Sequence, residues 1–366
     1  MSYLDRVAAL LEEIRSQGRH REVRSGPPGG MLDFSSNDYL GLATDSRLVE
    51  ALRRARRVGS GGARLLGGAQ REHTLLEDEL ARWLGRERVL LFSSGYHAAL
   101  GAIAVLAQTV NCIYSDRLNH ASLIDGIRSA RSDRVVYEHG ELPPRAQRRR
   151  PALIVTESIF GMDGDAVDLD RTFADLNEDD VLLVDEAHAL GVTGVQGTGC
   201  ARRLADPRVV VLGTLSKAFG AHGGFVAGPA ALIDLLVNTA RTFIFDTALP
   251  PAIALAARIA LVLIRDDESA RSRLRENVRR LRAGLRSLGF AAGDDPSPIV
   301  PVVLGSEARA VEIARLLETN NIYAPAIRPP TIPPGTSRLR LSVRANHQLE
   351  HMDVFVQGLA ECIVTS

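Results

Sequence analysis

Short apolar runs that alternate with helical patterns constrain the fold of this chain more than any other feature of its sequence. Runs such as 152–157, 181–185 and 209–213 are apolar at consecutive positions, and segments with helical spacing lie between them. Consecutive apolar residues are typical of parallel strands that are buried on both faces. Strands that alternate with helices indicate layers of helices around a sheet. The sequence therefore predicts an α/β fold with a mostly parallel sheet.

The pattern changes late in the chain. The charged segment 266–288 predicts a long helix, and beyond it strands and helices follow in a less regular order. A chain of 366 residues can hold more than one domain of ordinary size. We predict an N-terminal arm over residues 1–37, a large α/β domain over 38–280 and a smaller C-terminal α+β domain over 281–366.

Composition argues against several classes of protein. Acidic and basic residues are equal in number, 44 of each, which argues against a nucleic-acid-binding protein. The arginine-rich run 145–150 is typical of a solvated segment, with a contact to an anionic cofactor as the alternative. The apolar segment 252–264 is too short to span a bilayer. We expect a protein that binds neither nucleic acid nor membranes.

The spacing of the cysteines indicates the cellular compartment. Cys112, Cys200 and Cys362 are far apart and show neither metal-ligand nor disulfide spacing. Such free cysteines are typical of a reducing cytoplasm. We therefore expect a cytoplasmic protein without a metal site.

Lys217 is the only lysine among 44 Lys and Arg residues, and it follows the apolar run 209–213. A GC-rich coding sequence would replace lysine by arginine wherever charge alone matters, so the lysine that remains is informative. Arginine stays protonated, whereas a lysine amine with a lowered pKa can attack a carbonyl and form a Schiff base. We interpret Lys217 as the covalent anchor of a carbonyl compound. The alternative is a surface lysine left by chance.

Other strand ends carry polar groups at the edge where open α/β sheets bind ligands. The turn 94–96 precedes a predicted helix whose N–H groups favour a phosphate, although such turns also occur for their geometry alone. Asp185 ends an apolar run, and His188 lies three residues further on. His120 follows another strand, where a lone histidine is often structural.

The segment 185–188, DEAH, also matches the metal-site motif of helicase-type nucleotide hydrolases. That class requires the phosphate loop G-x-x-x-x-G-K-[ST]. Lys217 is preceded by Ser216 and followed by Ala218, so this loop is absent. We therefore reject the hydrolase interpretation.

An amine, a carboxylate, phosphate donors and imidazoles are together the groups that pyridoxal 5'-phosphate (PLP) requires. A lysine binds its aldehyde, and an aspartate pairs with its pyridinium nitrogen so that the ring can accept electrons. A neighbouring carboxylate favours the protonated ring nitrogen. The sequence therefore predicts a PLP enzyme with Lys217 and Asp185 at its centre.

The chain resembles the α-oxoamine synthases, PLP enzymes that condense an amino acid with an acyl thioester and release carbon dioxide. The resemblance covers nearly the whole chain. The matching segments are 35–41 (SSNDYLG), 119–122 (NHAS), 162–165 (MDGD), 185–188 (DEAH), 214–217 (TLSK) and 326–331 (AIRPPT). It implies the PLP-dependent aminotransferase-like fold (fold type I) with a mostly parallel seven-stranded sheet, and a homodimer with active sites at the subunit interface.

The resemblance implies roles around the cofactor. Lys217 would carry the cofactor and move the Cα proton of the substrate, and Asp185 would hold the ring nitrogen. His188 would hydrogen-bond the ring hydroxyl, and His120 would stack on the ring. The residues that would hold the phosphate are Gly95, Tyr96, Thr214 and, toward a partner subunit, Thr247.

It also implies two sets of substrate contacts. Asn37 and Arg340 would hold the amino-acid carboxylate, Arg340 in a bidentate pair. Arg21 and Thr331 would contact the acyl substrate. Arg21 is placed by a loose match over residues 18–21, so Arg19 is the alternative.

Within the family, segments 326–331 and 334–341 are most similar to the biotin-pathway member. This similarity implies an acyltransferase that uses L-alanine and a pimeloyl thioester, with Arg328 as a further substrate contact. The thioester could be one of coenzyme A or of an acyl carrier protein. The alternatives are a glycine C-acetyltransferase, a 5-aminolevulinate synthase, a serine palmitoyltransferase or a catalytically silent partner subunit. Retention of Lys217, Asp185 and His188 argues against a silent subunit.

Two positions depart from the family pattern. Gly161 lies where many members have serine, which removes a hydroxyl near the cofactor. Asp246 lies where serine is frequent. An acidic group is an odd neighbour for a phosphate, so we expect the Asp246 side chain to point away from it.

Overall fold

Helices and strands alternate over most of the chain. The computed structural model describes residues 1–17, 19–21, 23, 26, 29–295 and 297–365. The strands are β1 (Leu32–Asp33), β2 (Arg88–Phe92), β3 (Cys112–Asp116), β4 (Asp133–Tyr137), β5 (Ala152–Glu157), β6 (Val181–Asp185), β7 (Val209–Thr214), β8 (Gly224–Gly228), β9 (Ile299–Gly305), β10 (Ile322–Tyr323), β11 (Ala326–Ile327) and β12 (Ser337–Ser342). The α-helices are α1 (Tyr3–Ser16), α2 (Ser46–Arg54), α3 (Arg71–Leu84), α4 (Gly95–Leu106), α5 (Ala121–Ser129), α6 (Leu169–Ala174), α7 (Ala230–Thr239), α8 (Arg241–Ile244), α9 (Pro251–Asp266), α10 (Glu268–Ser287), α11 (Glu307–Thr319) and α12 (Leu349–Thr365).

The central sheet has seven strands in the order β2-β8-β7-β6-β5-β3-β4. The five strands from β7 to β4 are parallel to their neighbours. Only β8 is antiparallel, and it pairs with β2 on one side and β7 on the other. The prediction of a mostly parallel α/β sheet is confirmed.

The sheet is buried on both faces. Every residue of β3, β5 and β7 is buried. Neighbouring residues of one strand enter different apolar layers: Ile154 packs in one and Val155 in the other. Since side chains alternate across a strand, this double burial explains why the strands read as unbroken apolar runs. The result is a rigid platform whose carboxyl ends can place polar side chains.

The C-terminal part contains a second, antiparallel sheet of β11, β12 and β9. The N-terminal segment joins this part, because β1 pairs in parallel with β10 through Leu32 and Ile322. Residue 280 lies within α10, where Arg280 forms an ion pair with Asp353 of α12. The domain limits after residues 37 and 280 remain predictions.

Helix α9 contains the apolar segment 252–264, and its Ala254, Ala257 and Ala260 are fully buried. The helix packs against α2 and α3. Among the described residues, no helix combines the length and the apolar character that crossing a membrane requires.

Candidate active site

The carboxyl ends of the parallel strands surround a cavity of about 250 Å³. Asp185 ends β6, Glu157 ends β5 and Thr214 ends β7, with Lys217 three residues beyond. The lining residues are Ser94, Gly95, Tyr96, His120, Ser122, Glu157, Asp185, Ala187, His188, Leu212, Gly213, Thr214, Ser216 and Lys217. Of the eight cofactor residues that the sequence predicts, all but Thr247 line this cavity.

Lys217 lines the cavity. Its Nζ is 2.7 Å from Nε2 of His188. Burial, together with the charge of Arg340, lowers the pKa of Lys217 to about 8, although Asp185 and Glu157 oppose this shift. An amine with such a pKa is partly neutral near physiological pH and can act as a nucleophile or a base.

His188 is held on both sides of its ring. Its Nδ1 lies 2.7 Å from the hydroxyl of Tyr39, which is fully buried. Burial lowers the pKa of His188 well below its ordinary value, and the charges of Lys217 and Arg340 lower it further. His188 is therefore neutral, with one ring nitrogen able to donate and the other able to accept.

Two carboxyl groups lie side by side at the floor of the cavity. Glu157 and Asp185 are paired in register on β5 and β6. One Asp185 oxygen, Oδ1, accepts from the N–H of Ala187 at 2.9 Å, and its other oxygen has no donor in the described part of the chain. Burial, and then the charge of Asp185, raises the pKa of Glu157 well above its ordinary value.

His120 caps the N-terminus of α5. Its N–H donates to Oε1 of Glu157 at 2.7 Å, and its Nδ1 lies 2.8 Å from the hydroxyl of Ser122. Burial lowers its pKa, with a smaller contribution from the charge of Lys217. The backbone and the ring are thus both fixed, which orients the imidazole as one wall of the cavity.

The opposite end of the cavity is suited to an anion. The Ser94 hydroxyl caps α4 by accepting from the N–H of His97 at 3.1 Å. The preceding N–H groups, of Gly95 and Tyr96, have no acceptor among the residues described. Unpaired N–H groups and the positive end of a helix dipole favour a phosphate. The Ser216 hydroxyl can add a further donor; it lies 2.8 Å from the Thr214 hydroxyl, which donates its own proton to the carbonyl of Gly223 at 3.1 Å.

Glycine allows this turn to lie close to the sheet. A Cβ at Gly224 of β8 would lie 2.4 Å from the backbone nitrogen of Gly95. A side chain at position 224 would therefore push the N-terminus of α4 away from Thr214 and open the anion site.

Asn37 and Arg340 form a second polar site next to Lys217. Arg340, which is only 6% exposed, donates from Nη1 to Oδ1 of Asn37 at 3.0 Å and from Nε to the carbonyl of Gly161 at 2.6 Å. Nη2 of Arg340 and Nδ2 of Asn37 have no acceptor within the described structure. Two unpaired donors on neighbouring side chains match the two oxygens of a carboxylate.

The predicted acyl-substrate contacts lie outside the cavity. Arg21 donates to the hydroxyl of Thr331 across 3.4 Å, and the N–H of Thr331 donates to the carbonyl of Arg328 at 3.1 Å. Arg19, the alternative to Arg21, donates instead to Gln17. Gly18, which belongs to the same motif, lies outside the described residues. The structure thus brings Arg21, Thr331 and Arg328 together.

The remaining predicted cofactor residue, Thr247, lies away from the cavity. Its backbone pairs with Ala63 in an isolated antiparallel bridge. The neighbouring Asp246 accepts from the Ser93 hydroxyl and lies 2.9 Å from Nδ1 of His97. The Asp246 carboxylate is therefore engaged at the first turn of α4.

Gly161 lies directly against His188. A Cβ at position 161 would be 2.6 Å from Nε2 of His188. The serine that many family members carry here would collide with the imidazole in its present position. The glycine and the placement of His188 beside Lys217 therefore go together.

Sequence reasoning did not identify two residues of this site, Glu157 and Tyr39. Glu157 carries a detectable signal, because it is an acidic residue at the end of an apolar strand, as Asp185 is. Tyr39 lies in a turn near the N-terminus that the chain brings to the cavity from 149 residues away. No local pattern indicates such a contact.

The residues present fit PLP. The cavity is lined by unpaired N–H groups and a hydroxyl, by a carboxylate oxygen without a donor in the described structure, and by an amine. Its volume lies just below the range of about 300–1,000 Å³ that is usual for ligand pockets. No group of three or more His, Cys, Asp or Glu side chains in the described part of the chain could hold a metal ion. The fold and the cavity together define a PLP-dependent enzyme with the aminotransferase-like fold (fold type I).

Comparison with known proteins supports this assignment to the PLP-dependent enzymes. The chain belongs to the family described as aminotransferase class I and II, which matches residues 29–359. It is 45% identical to an 8-amino-7-oxononanoate synthase from Methylococcus capsulatus, over 96% of this chain and 93% of that protein. It is 40% identical to 8-amino-7-oxononanoate synthase 2 from Bacillus subtilis, over 95% and 94% of the two chains. The resemblance to α-oxoamine synthases is thereby confirmed.

Solved structures of this group have the same fold. A serine palmitoyltransferase from S. paucimobilis, with PLP and myriocin bound, has a TM-score of 0.89 and 26% identity over 100% of this chain and 99% of that chain. An 8-amino-7-oxononanoate synthase from Francisella tularensis has a TM-score of 0.81 and 27% identity over 92% and 98%.

Proposed function

We propose that this enzyme condenses L-alanine with a pimeloyl thioester to give 8-amino-7-oxononanoate, carbon dioxide and a free thiol, a step of biotin biosynthesis. The observation that carries the proposal is the 40–45% identity to several 8-amino-7-oxononanoate synthases over nearly the whole chain. The buried donors of Asn37 and Arg340 beside Lys217 support an amino acid as one substrate.

The cofactor would be held by residues of the cavity. Lys217 would bind it covalently, Asp185 would pair with its ring nitrogen, and His188 would hydrogen-bond its ring hydroxyl. The residues that would hold the phosphate are Gly95, Tyr96, Thr214 and, from the other subunit, Thr247. When bound, PLP supplies an electron sink for the carbanion at the substrate Cα.

Side chains of the protein would bind the substrates and move the Cα proton. Asn37 and Arg340 orient the alanine carboxylate. Lys217, freed when the substrate amine binds, is placed to remove the Cα proton, since its lowered pKa leaves part of it neutral. His120, which lines the cavity, would stack on the ring of the cofactor. At the outer rim, Arg21, Arg328 and Thr331 would meet the acyl chain, whose far end carries a second carboxylate or its ester.

The competing function is the same condensation with another amino acid and another acyl thioester. The fold does not distinguish this function from the pimeloyl reaction, because a serine palmitoyltransferase superposes on the chain as well as an 8-amino-7-oxononanoate synthase does. The sequence identity favours the pimeloyl reaction. None of the three cysteines forms a disulfide within the described part of the chain, which supports a cytoplasmic enzyme, and we infer that it acts there as a homodimer.

The test is a substrate matrix. We would measure kcat/KM for L-alanine, glycine and L-serine, each with pimeloyl, acetyl, succinyl and palmitoyl thioesters, and with pimeloyl groups on coenzyme A and on acyl carrier protein. L-alanine with a pimeloyl thioester should be best. Glycine should react more slowly, by about 10- to 200-fold, because one methyl group supplies no more discrimination than that. A best pair of serine with palmitoyl, or of glycine with acetyl or succinyl thioester, would contradict the proposal.

A further inference from the structure

A continuous chain of hydrogen bonds connects Lys217 with the carboxylate site. Lys217 Nζ is 2.7 Å from His188 Nε2, and His188 Nδ1 is 2.7 Å from the Tyr39 hydroxyl. That hydroxyl donates to Oδ1 of Asn37 at 3.1 Å, and Arg340 donates to the same oxygen. Among the described residues, Tyr39 is thus the only one whose side chain is within hydrogen-bond distance of both His188 and Asn37.

The donors and acceptors available in this series of hydrogen bonds determine which group donates in each bond. Arg340 can only donate, so the Asn37 atom that it contacts is the carbonyl oxygen, which can only accept. Ser342 also donates to that oxygen, at 3.2 Å, but the oxygen itself cannot donate, so the 3.1 Å contact uses the single proton of the Tyr39 hydroxyl. Tyr39 then accepts from the Nδ1–H of His188. A neutral imidazole with its proton on Nδ1 presents a lone pair at Nε2. Lys217 can donate to that lone pair.

The surroundings keep this arrangement in place. Tyr39 is fully buried, and burial raises its pKa to about 12, so the hydroxyl keeps its proton over the working pH range. The imidazole is held at both ring nitrogens, by Tyr39 at Nδ1 and by Lys217 at Nε2, and the absence of a Cβ at Gly161 leaves room for this position. The other charged groups that act on Lys217 are Asp185, Glu157 and Arg340.

We propose that Tyr39 is a positioning residue for the reaction: its hydroxyl keeps the proton of His188 on Nδ1, so that Nε2 stays an acceptor, which faces Lys217 here and would serve the ring hydroxyl of the cofactor in the loaded enzyme. This ties the amine that moves the proton to the side chain that holds the substrate carboxylate. The inference rests on the proposed function, in which Lys217 moves the Cα proton and Asn37 binds the carboxylate.

The first test uses the single lysine of the chain. In the full chain freed of cofactor, the only amines that acetic anhydride can acetylate are those of Lys217 and the N-terminus, and peptide mass spectrometry separates these two amides from each other and from labile esters at hydroxyl groups. The rate of Lys217 acetylation against pH gives the midpoint of its titration. Tyr39→Phe removes one hydroxyl and keeps the ring. Tyr114→Phe is the matched control, because it removes a buried hydroxyl that accepts from the N–H of Arg149, outside the cavity.

Without the Tyr39 hydroxyl, His188 can carry its proton on Nε2, where it no longer accepts from the ammonium of Lys217. We expect the midpoint to fall in Tyr39→Phe, so that Lys217 acetylation at pH 7 is faster by about threefold or more, the effect of half a pKa unit. Tyr114→Phe should match the parent. An unchanged midpoint in Tyr39→Phe, or the same change in Tyr114→Phe, would overturn the inference.

The second test uses the enzyme loaded with PLP. Exchange of the L-alanine Cα proton in D2O, followed by NMR, needs no thioester and so does not depend on the acyl substrate. We expect Tyr39→Phe to slow the maximal exchange rate by about 10-fold or more, the effect seen when a residue that orients an active-site ligand is lost. The half-saturating alanine concentration should change little. A change in that concentration alone would mean that Tyr39 only supports Asn37, and the inference would fail.

The proposed reaction with pimeloyl thioesters and the proposed role of Tyr39 can be refuted independently of each other. If the parent enzyme exchanges the alanine proton but gives no product with pimeloyl thioesters, the proposed acyl substrate is wrong. The comparison of Tyr39→Phe with the parent remains valid in that case, because neither of its measurements uses a thioester.

Discussion

Glu157 and Asp185 occupy paired positions on the neighbouring parallel strands β5 and β6, so two carboxyl groups face the cavity that holds Lys217. Two neighbouring carboxylates in a buried site do not both ionise readily. Burial and the charge of Asp185 raise the pKa of Glu157 well above its ordinary value. The raised pKa favours the neutral form of Glu157, so the two carboxyl groups can have different roles, with Asp185 available to the ring nitrogen.

This division predicts that Glu157→Gln is tolerated. Glutamine has the shape of a protonated glutamic acid and can still accept from the N–H of His120. We expect kcat within about threefold of the parent. Glu157→Ala should lose about 10-fold or more in kcat, because the buried N–H of His120 loses its acceptor and the His120 ring loses its support. Steady-state kinetics and the visible spectrum of the bound cofactor check both variants. A Gln variant as impaired as the Ala variant would show that the negative charge itself is required.

Lys217 should be the only site of covalent cofactor attachment. It is the only lysine in the sequence, it lines the cavity, and its pKa is lowered. Borohydride reduction of the loaded enzyme, followed by proteolysis and mass spectrometry, should place one pyridoxyl group on the peptide that contains Lys217. Lys217→Ala should fold, bind cofactor only reversibly and lose activity by several orders of magnitude. A label on the N-terminal amine, or none, would contradict the assignment of this cavity.

How much of this site the sequence can predict depends on how each side chain reaches it. Asp185 and Lys217 stand out because a polar residue that ends an apolar strand interrupts a strong pattern. The sheet order then brings such ends together, as expected for parallel strands. Tyr39 and Asn37 come from an irregular turn, whose path over the sheet no periodicity specifies. Only the resemblance to a family identified Asn37, and nothing identified Tyr39.

Strand β12 carries two arginines, Arg338 and Arg340, in a pattern that is visible in the sequence. Arg338 and Arg340 are two residues apart, so they lie on one face of the strand. Both are nearly buried: Arg338 forms an ion pair with Asp163, and Arg340 donates to Gly161. Two arginines on one face of an otherwise apolar strand indicate buried acceptors. Which acceptors these are depends on contacts between distant segments, and the sequence does not reveal them.

We predict that the chain is a homodimer. Helix α1 has no buried residue, and its apolar side chains are exposed, Leu4 to 72% and Leu10 to 62%. A helix of 14 residues is marginally stable alone in water, so a second copy is expected to cover this side. Light scattering should give twice the chain mass of 39.5 kDa. Leu10→Glu should weaken the dimer and Glu13→Ala should not. A fully active monomer would contradict this prediction.

Gly161→Ala should displace His188. The new Cβ would lie 2.6 Å from Nε2, and the imidazole cannot yield without giving up Lys217 or Tyr39. We expect kcat to fall by about 10- to 100-fold, since a displacement of about 1 Å can cost that much, with a changed visible spectrum of the bound cofactor. Gly29→Ala is the control, because a Cβ there would meet no described atom within 4 Å. Equal activity of the two variants would show that His188 adjusts without loss.

His139 lies between two carboxylates, beyond the cavity. Its Nδ1 is 3.0 Å from the fully buried Asp116, and its Nε2 is 2.6 Å from Asp165. The hydrogen bonds to these two groups raise the pKa of His139 to about 10. The folded-state pKa is thus above the unfolded value of about 6.5. The charged histidine therefore stabilises the fold fully below about pH 6.5, and this contribution is lost as the pH rises through about 10.

This gives a prediction about stability and pH. At pH 6, His139→Gln should lower the free energy of unfolding by about 2 kcal/mol, because Asp116 loses a charged partner. The difference from the parent should shrink steadily between pH 6.5 and pH 10, since the parent loses the charge that the variant never had. Urea unfolding at pH 6, 8 and 10 measures it. His222→Gln, at an exposed histidine, is the control and should show no such trend. A difference that stays constant from pH 6 to pH 10 would mean that His139 stabilises the fold by its shape alone.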